Sequence, residues 1–149
     1  MYDKKSLLTI ASKKIDWKEI VKDVVAFSNA EGGILEFGIE DGMETPDCLQ
    51  RIQDSLMTML VNNINGKTNG VQISAEKKKY DNGGETILLF IRRSVVMATT
   101  SDGKVFMRNG DNSEPITGED LHRLSEEKDV IAGNCVSQIM HFQTATQKD

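Results

Sequence analysis

Apolar residues recur at helical spacing through Ile20, Val21, Val24, Val25 and Phe27, which predicts an amphipathic helix burying that stripe. Asp16 stands three residues before Glu19, a capping-box spacing, and Ile15 and Ile20 are placed as a hydrophobic staple. Lys18, Lys22 and Asp23 are assigned to the wet face. The period then changes to two. Leu35, Phe37 and Ile39 alternate with Glu36, Gly38 and Glu40, predicting a strand with one face in the core, and Gly38 marks a close neighbour on the other face. Thr45-Pro46 is the expected start of a second helix carrying Leu49, Ile52, Leu56, Met59/Leu60 and Ile64, which Asn65-Gly66 and Asn69-Gly70 should end. Residues 71–79 and 85–92 flank Asn82-Gly83-Gly84, a hairpin signal, and the apolar run ILLFI places the second of these strands centrally. Lys4 to Ala11 reads as a strand or extended arm, Lys104 to Arg108 as a strand, and Thr117 as the cap of a third helix.

Between the first helix and its strand lies Asn29-Ala30-Glu31-Gly32-Gly33. Paired glycines at a helix-to-strand corner permit positive φ and leave no side chain to hold a ligand away. A glycine C-cap explains them as well as a binding site does.

The words AFSNAEGG and ILEFGIEDG resemble the signature of the Schlafen-type AlbA domain, a nucleic-acid-binding module at the front of many bacterial regulators and in the Schlafen proteins. KVFMRNGDNSEPITGEDLHRL, Lys104 to Leu124, is similar to that family's closing segment: a strand ending in arginine, a polar loop and a Thr-capped helix. The resemblance implies an α+β fold, Schlafen AlbA-like, with a mixed sheet of about five strands and helices packed on it. It also implies a nucleic-acid-binding or regulatory module of the transcriptional-regulator type, contacting DNA or RNA phosphates through a polar groove and read as non-catalytic because the stretch Ser6 to Ile15 holds no acid. The residues expected to line that groove are Asn29, Gly32, Gly33, Arg92, Lys104, Arg108, Asn109 and Ser113. Arginine suits bidentate phosphate contact, and exposed loop amides add donors without charge. Equally, the loop after Arg108 serves as a plain turn, with Arg108 in a surface ion pair to Glu114 or Asp111.

Charge qualifies this picture. The net charge is −5, whereas phosphate neutralisation supplies most nucleic-acid affinity, so any such site must be a local basic patch on an acidic body. Candidate clusters are Lys13, Lys14 and Lys18, then Lys77 to Lys79, then Arg92, Arg93, Lys104 and Arg108, each of which also reads as a solvated face. The alternative function is a protein-interaction or oligomerisation domain without nucleic-acid binding, which the negative charge favours.

A weaker alternative is a metal-dependent RNase, because some Schlafen relatives cleave RNA with three carboxylates, two of them in the first strand. Ser6 to Ile15, taken as the corresponding stretch, holds no acid, which leaves Glu40 and Asp41 alone. Catalytic residues, metals and cofactors are therefore expected to be none. Gly66-Lys67-Thr68 is not a P-loop, because position 61 is Val61 and a helix precedes it. His122 and His141 have no triad partners, and Cys48 and Cys135 lack ligand spacing. No run reaches membrane-span length and the start lacks a signal-peptide core, so the expected location is cytoplasmic. Residues 1–128 are expected to form the AlbA-like domain and 129–149 a helix or linker arm, leading to a further domain in a longer protein; a homo-oligomer is a candidate state.

Overall fold

The computed structural model describes residues 1–129, so the arm expected over 130–149, with Cys135 and His141, lies outside the described residues. Chain order is β1 (Tyr2–Lys5), α1 (Leu8–Ala11), α2 (Trp17–Asn29), β2 (Gly33–Phe37), α3 (Asp54–Lys67), β3 (Thr68–Asn69), β4 (Ile73–Lys79), β5 (Glu85–Ile91), β6 (Thr99–Thr100), β7 (Phe106–Asn109) and β8 (Asn112–Pro115). Residues 119–129 are helical and are called α4.

The main sheet is mixed, with order β1-β2-β5-β4. β1 runs parallel to β2, while β2–β5 and β4–β5 are antiparallel. In the β2–β5 register Leu35 faces Leu89 and Phe37 faces Ile87. All four side chains are fully buried, together with Ile20, Val24 and Phe27 of α2 and Leu60 and Ile64 of α3. One sheet face is thus covered by the two helices. This is the expected α+β architecture, with β5 in the interior of the sheet as its apolar run requires. Its far edge, β4, carries exposed Glu76, Lys77, Lys78 and Lys79.

Local signals that the chain satisfies by itself are met. Glu19 N–H donates to the Asp16 carboxylate at 3.2 Å, so Asp16 caps α2. Gly38 has φ +123, and a Cβ there would lie 2.5 Å from Gln50 Nε2, which identifies its close neighbour.

Five expectations need correction. The main sheet has four strands rather than five, because the strand expected at Lys104 to Arg108 forms, from Phe106, a separate hairpin with β8. The first strand is Tyr2–Lys5, so the strand or arm expected over Lys4 to Ala11 is extended only to Lys5, and Ser6 to Ile15 is not the first strand. Ser6 Oγ accepts from Leu8 N–H at 3.2 Å, the chain turns into α1, and Ile10 plugs the core. Helix α3 begins at Asp54, eight residues beyond Pro46. Tertiary hydrogen bonds override the Thr45-Pro46 signal: Asn82 Nδ2 donates to the Pro46 carbonyl at 2.8 Å, Gln50 Nε2 to the Gly38 and Glu85 carbonyls, and Ile52 N–H to the Glu85 carboxylate at 2.9 Å. At its other end α3 runs through Asn65-Gly66 to Lys67. The last helix starts at residue 119 with Gly118, at φ +63, at its entrance, one residue later than a Thr117 cap requires.

Candidate functional site

The glycine corner is built by close backbone approach. Helix α2 ends at Asn29, and Gly32 N–H closes on the Phe27 carbonyl at 2.8 Å, satisfying one of the carbonyls the helix end leaves free. Gly32 has φ +74, and a Cβ there would sit 2.6 Å from the Ile91 carbonyl oxygen and 2.7 Å from Arg93 N. At Gly33 a Cβ would collide with the Met1 carbonyl. Both glycines are therefore required for packing of the sheet.

Asn29 is fully buried. Its Nδ2 donates to the Ala98 and Phe106 carbonyls, both at 2.9 Å, and its Oδ1 accepts from Ala98 N–H at 2.8 Å. One side chain thus ties the end of α2 to the segments before β6 and at β7.

Arg108 does not face the expected solvent groove. Its side chain is 5% exposed and lies between Asp23 at 3.5 Å and Asp3 at 3.3 Å, with its guanidinium 4.9 Å from the Phe27 ring centre. It also donates to Ser113 Oγ at 3.1 Å and to the Gly110 carbonyl at 3.1 Å, so its donors are engaged within the chain. Ser113 Oγ donates in turn to Asp23 Oδ1 at 2.6 Å, and Lys5 reaches Asp23 Oδ2 at 2.7 Å. Asp23, expected on the wet face, is instead the centre of this buried network. It falls three residues after Ile20 and four before Phe27, on the same stripe. That spacing was the available signal. The segment after Arg108 is the turn of the β7–β8 hairpin, and Arg108 pairs with neither Glu114 nor Asp111; Asn109 is exposed and bonds to Glu114 at 3.3 Å. Arg92 is exposed beside Gly32. The structure therefore joins Asn29, Arg108 and Ser113 to the support of β7–β8 and leaves Arg92, Lys104 and Asn109 at the surface.

A lysine-lined cleft lies elsewhere. A cleft of about 700 Å³ opens between the start of α2, the end of α3 and the β6–β7 connection. Trp17, Lys18, Lys22, Lys67, Lys104 and Phe106 line it. Four lysines face the three carboxylates of Asp16, Glu19 and Asp102, a positive balance on a chain of net charge −5. Lys22 pairs with Glu19 at 2.9 Å and Lys104 with Asp102 at 3.7 Å; such exposed pairs are weak. Among the described residues Lys18 and Lys67 have no carboxylate partner. Asp16 is committed to its cap, and a hydrogen bond from Thr100 holds the Asp102 carboxyl below its ordinary pKa. Of the expected site residues only Lys104 lines this cleft. Trp17, Lys67 and Phe106 are not among the expected binding residues, because they come from three distant stretches of sequence.

A third cluster lies on the sheet face away from α2 and α3. Glu36 is 1% exposed and accepts from Tyr2 at 2.5 Å, Tyr80 at 2.6 Å and Thr86 at 2.6 Å. Burial pushes its pKa up, but the three hydroxyl donors, led by Thr86, outweigh that and hold it below the usual value. Burial and the carboxylate push the Tyr80 hydroxyl up to about 12, and the Tyr2 hydroxyl is raised for the same reasons.

For the nuclease alternative, the corrected first strand does hold an acid, Asp3, but it is spent on Arg108. Glu40 accepts from Ser6 at 2.6 Å. Among the described residues no group of three His, Cys, Asp or Glu side chains is placed to hold a metal, and no helix is long and apolar enough to cross a membrane.

None of the curated proteins matches this sequence. Among solved structures, the fold is similar to that of the DIP2311 protein from Corynebacterium diphtheriae, with a TM-score of 0.53 and 18% identity over 77% of this chain. The chain spans 24% of the length of that protein's chain. The family model described as "Schlafen, AlbA_2" matches residues 2–117, from β1 to the residues before α4. With well over half of the sequence inside that match, the chain belongs to the Schlafen AlbA_2 family.

Proposed function

We propose that this domain is a non-catalytic nucleic-acid-binding module, of the kind that serves transcriptional regulators in the cytoplasm, and that it grips phosphates with the lysines of the α2/β6–β7 cleft. The observation that carries the reading is convergence: Lys18 and Lys22 from α2, Lys67 from the end of α3 and Lys104 from the β6–β7 connection meet at one cleft. Membership of the Schlafen AlbA_2 family supports it. Asn29, Arg108 and Ser113 serve this surface from beneath, by fixing the β7–β8 hairpin and the connection that carries Lys104. Arg92 and Asn109 are surface groups that can extend the path of a phosphate chain.

Fluorescence anisotropy with labelled DNA and RNA at two salt concentrations tests the reading. Binding should weaken steeply as salt rises, and a Lys18→Ala/Lys67→Ala variant should bind more weakly with a salt slope smaller by about one to two contacts. Neutralising Lys77 to Lys79, on the far sheet edge, should do much less. Absence of binding at low salt overturns the proposal.

One observation favours an interaction module instead. The sheet face away from the helices shows exposed Tyr2 beside half-buried Ile34, Leu88 and Phe90. Self-association in sedimentation velocity, without nucleic-acid binding, would select that reading.

A further inference from the structure

The proposed function accounts for the lysines of the cleft but not for its aromatic residues. Trp17 is the sole tryptophan of the chain, and it is only half-buried although it stands at the first turn of a core helix. Phe106, also half-buried, lines the same cleft from β7. Lys67 Nζ lies 5.9 Å from the centre of the Trp17 ring, at the outer limit of a cation–π contact, so a planar group can displace it at small cost. Aromatic surface edged by lysines is the combination that holds single strands: bases stack on the rings while the ammonium groups follow the phosphates. In a duplex the bases are stacked on one another and their faces cannot reach a ring inside a cleft. The volume of about 700 Å³ lies within the roughly 300–1,000 Å³ range of sites that enclose a small ligand. An unpaired nucleotide can enter such a space; a double helix can only lie across its mouth.

Resting on the proposed function, we infer that the cleft selects single-stranded nucleic acid by stacking an unpaired base on Trp17, with Lys18, Lys67 and Lys104 on the flanking phosphates. Phe106 forms the opposite wall, and Lys67 moves from the ring to a phosphate as the base enters.

The single tryptophan gives an intrinsic signal. The full chain is titrated at low salt with short oligo(dT), oligo(rU) and a duplex of the same length, following Trp17 emission together with anisotropy of a label on the nucleic acid. Saturating single strand should quench the emission, and duplex at matched occupancy should leave it nearly unchanged. Quenching by only one of the two single strands supports the inference equally. Trp17→Leu should lower single-strand affinity by about tenfold or more with the salt slope unchanged, while Trp17→Phe should retain most of the affinity. Lys67→Ala should instead reduce the salt slope. Because the emission experiment uses the unaltered chain, it stands even if Trp17→Leu folds poorly. Single-strand binding without quenching, or equal affinity for duplex, overturns the stacking inference and leaves the proposed function standing. Failure of all three to bind overturns both.

Discussion

Replacement of Asp23 by Ala tests the central support of the fold. The Asp23 carboxylate is 5% exposed and holds Lys5 at 2.7 Å, Arg108 at 3.5 Å and the Ser113 hydroxyl at 2.6 Å. Its removal leaves two cations facing one another with little water. Taking one partner from a buried ion pair costs about 3–5 kcal/mol. Two features moderate the loss here: Arg108 keeps Asp3 at 3.3 Å, and the Lys5 side chain, 16% exposed, can turn outward. These place the expected cost near the lower end, at about 3 kcal/mol. Arg108→Met should cost less, about 1–2 kcal/mol, because Asp23 then keeps Lys5 and Ser113. Asp23→Ala combined with Arg108→Met should cost less than the sum of the single changes, since the two side chains are partners in one network. Urea unfolding checks the series, with an unchanged slope showing that stability alone has moved. A cost below about 1 kcal/mol for Asp23→Ala, or a larger cost for Arg108→Met, would refute the reasoning. Arg108→Met should also leave the salt slope of nucleic-acid binding unchanged, because the guanidinium is spent inside the protein.

The two tyrosines of the chain both donate to Glu36, so native absorbance at 295 nm should show little phenolate near pH 10 and a rise displaced toward pH 12 for Tyr80. The raised folded value means this stabilisation is complete below pH 10 and is lost as pH climbs toward 12; half-titration near 10 in the native state would refute the cluster. For Glu36 the folded value is lowered, so its contribution is present above the ordinary carboxylate range and disappears as pH falls through the folded value, and Glu36→Gln should flatten the acid limb of a stability–pH curve. Gly32→Val should lower stability by at least about 1–3 kcal/mol in denaturant titration, through positive φ and the contact with the Ile91 carbonyl. RNA and single-stranded DNA incubated with the protein in magnesium or manganese should remain intact on denaturing gels; cleavage lost in Glu40→Gln would restore the nuclease alternative.

Much of the frame was legible because local physics decides it. The Asp16 cap, the α2 stripe, the β2 alternation and the β4–β5 hairpin depend on neighbours within a few residues. What could not be read is decided at a distance. Gln50 and Ile52 hold the segment before α3 to Gly38 and Glu85 and cancel a good helix start. Asp23 reads as a solvated charge although its spacing puts it on the buried stripe, and it becomes central only when Lys5, Arg108 and Ser113 arrive from both ends of the described chain. The cleft is harder still, since Trp17, Lys67 and Lys104 share no motif. Arg108 carries the sharpest lesson: an arginine ending a strand before a polar turn has the chemistry of a phosphate ligand, and its burial beside two carboxylates gives that chemistry an internal use.

The lysine-bearing edge strand β4 also bears on how copies of this protein behave at high concentration. An outer strand leaves a row of unpaired backbone groups that can template β-sheet growth between molecules. Along β4 the run Glu76, Lys77, Lys78, Lys79 is exposed, so a second copy aligned there would bring like charges together and strip their hydration. Lys77 is tempered by Asp54 at 3.3 Å, and Lys78 lies over the Tyr80 ring at 4.5 Å. These side chains therefore act as gatekeepers against aggregation, and exchanging Lys77 and Lys79 for Thr and Val should leave the fold intact while lowering the concentration at which it precipitates on storage.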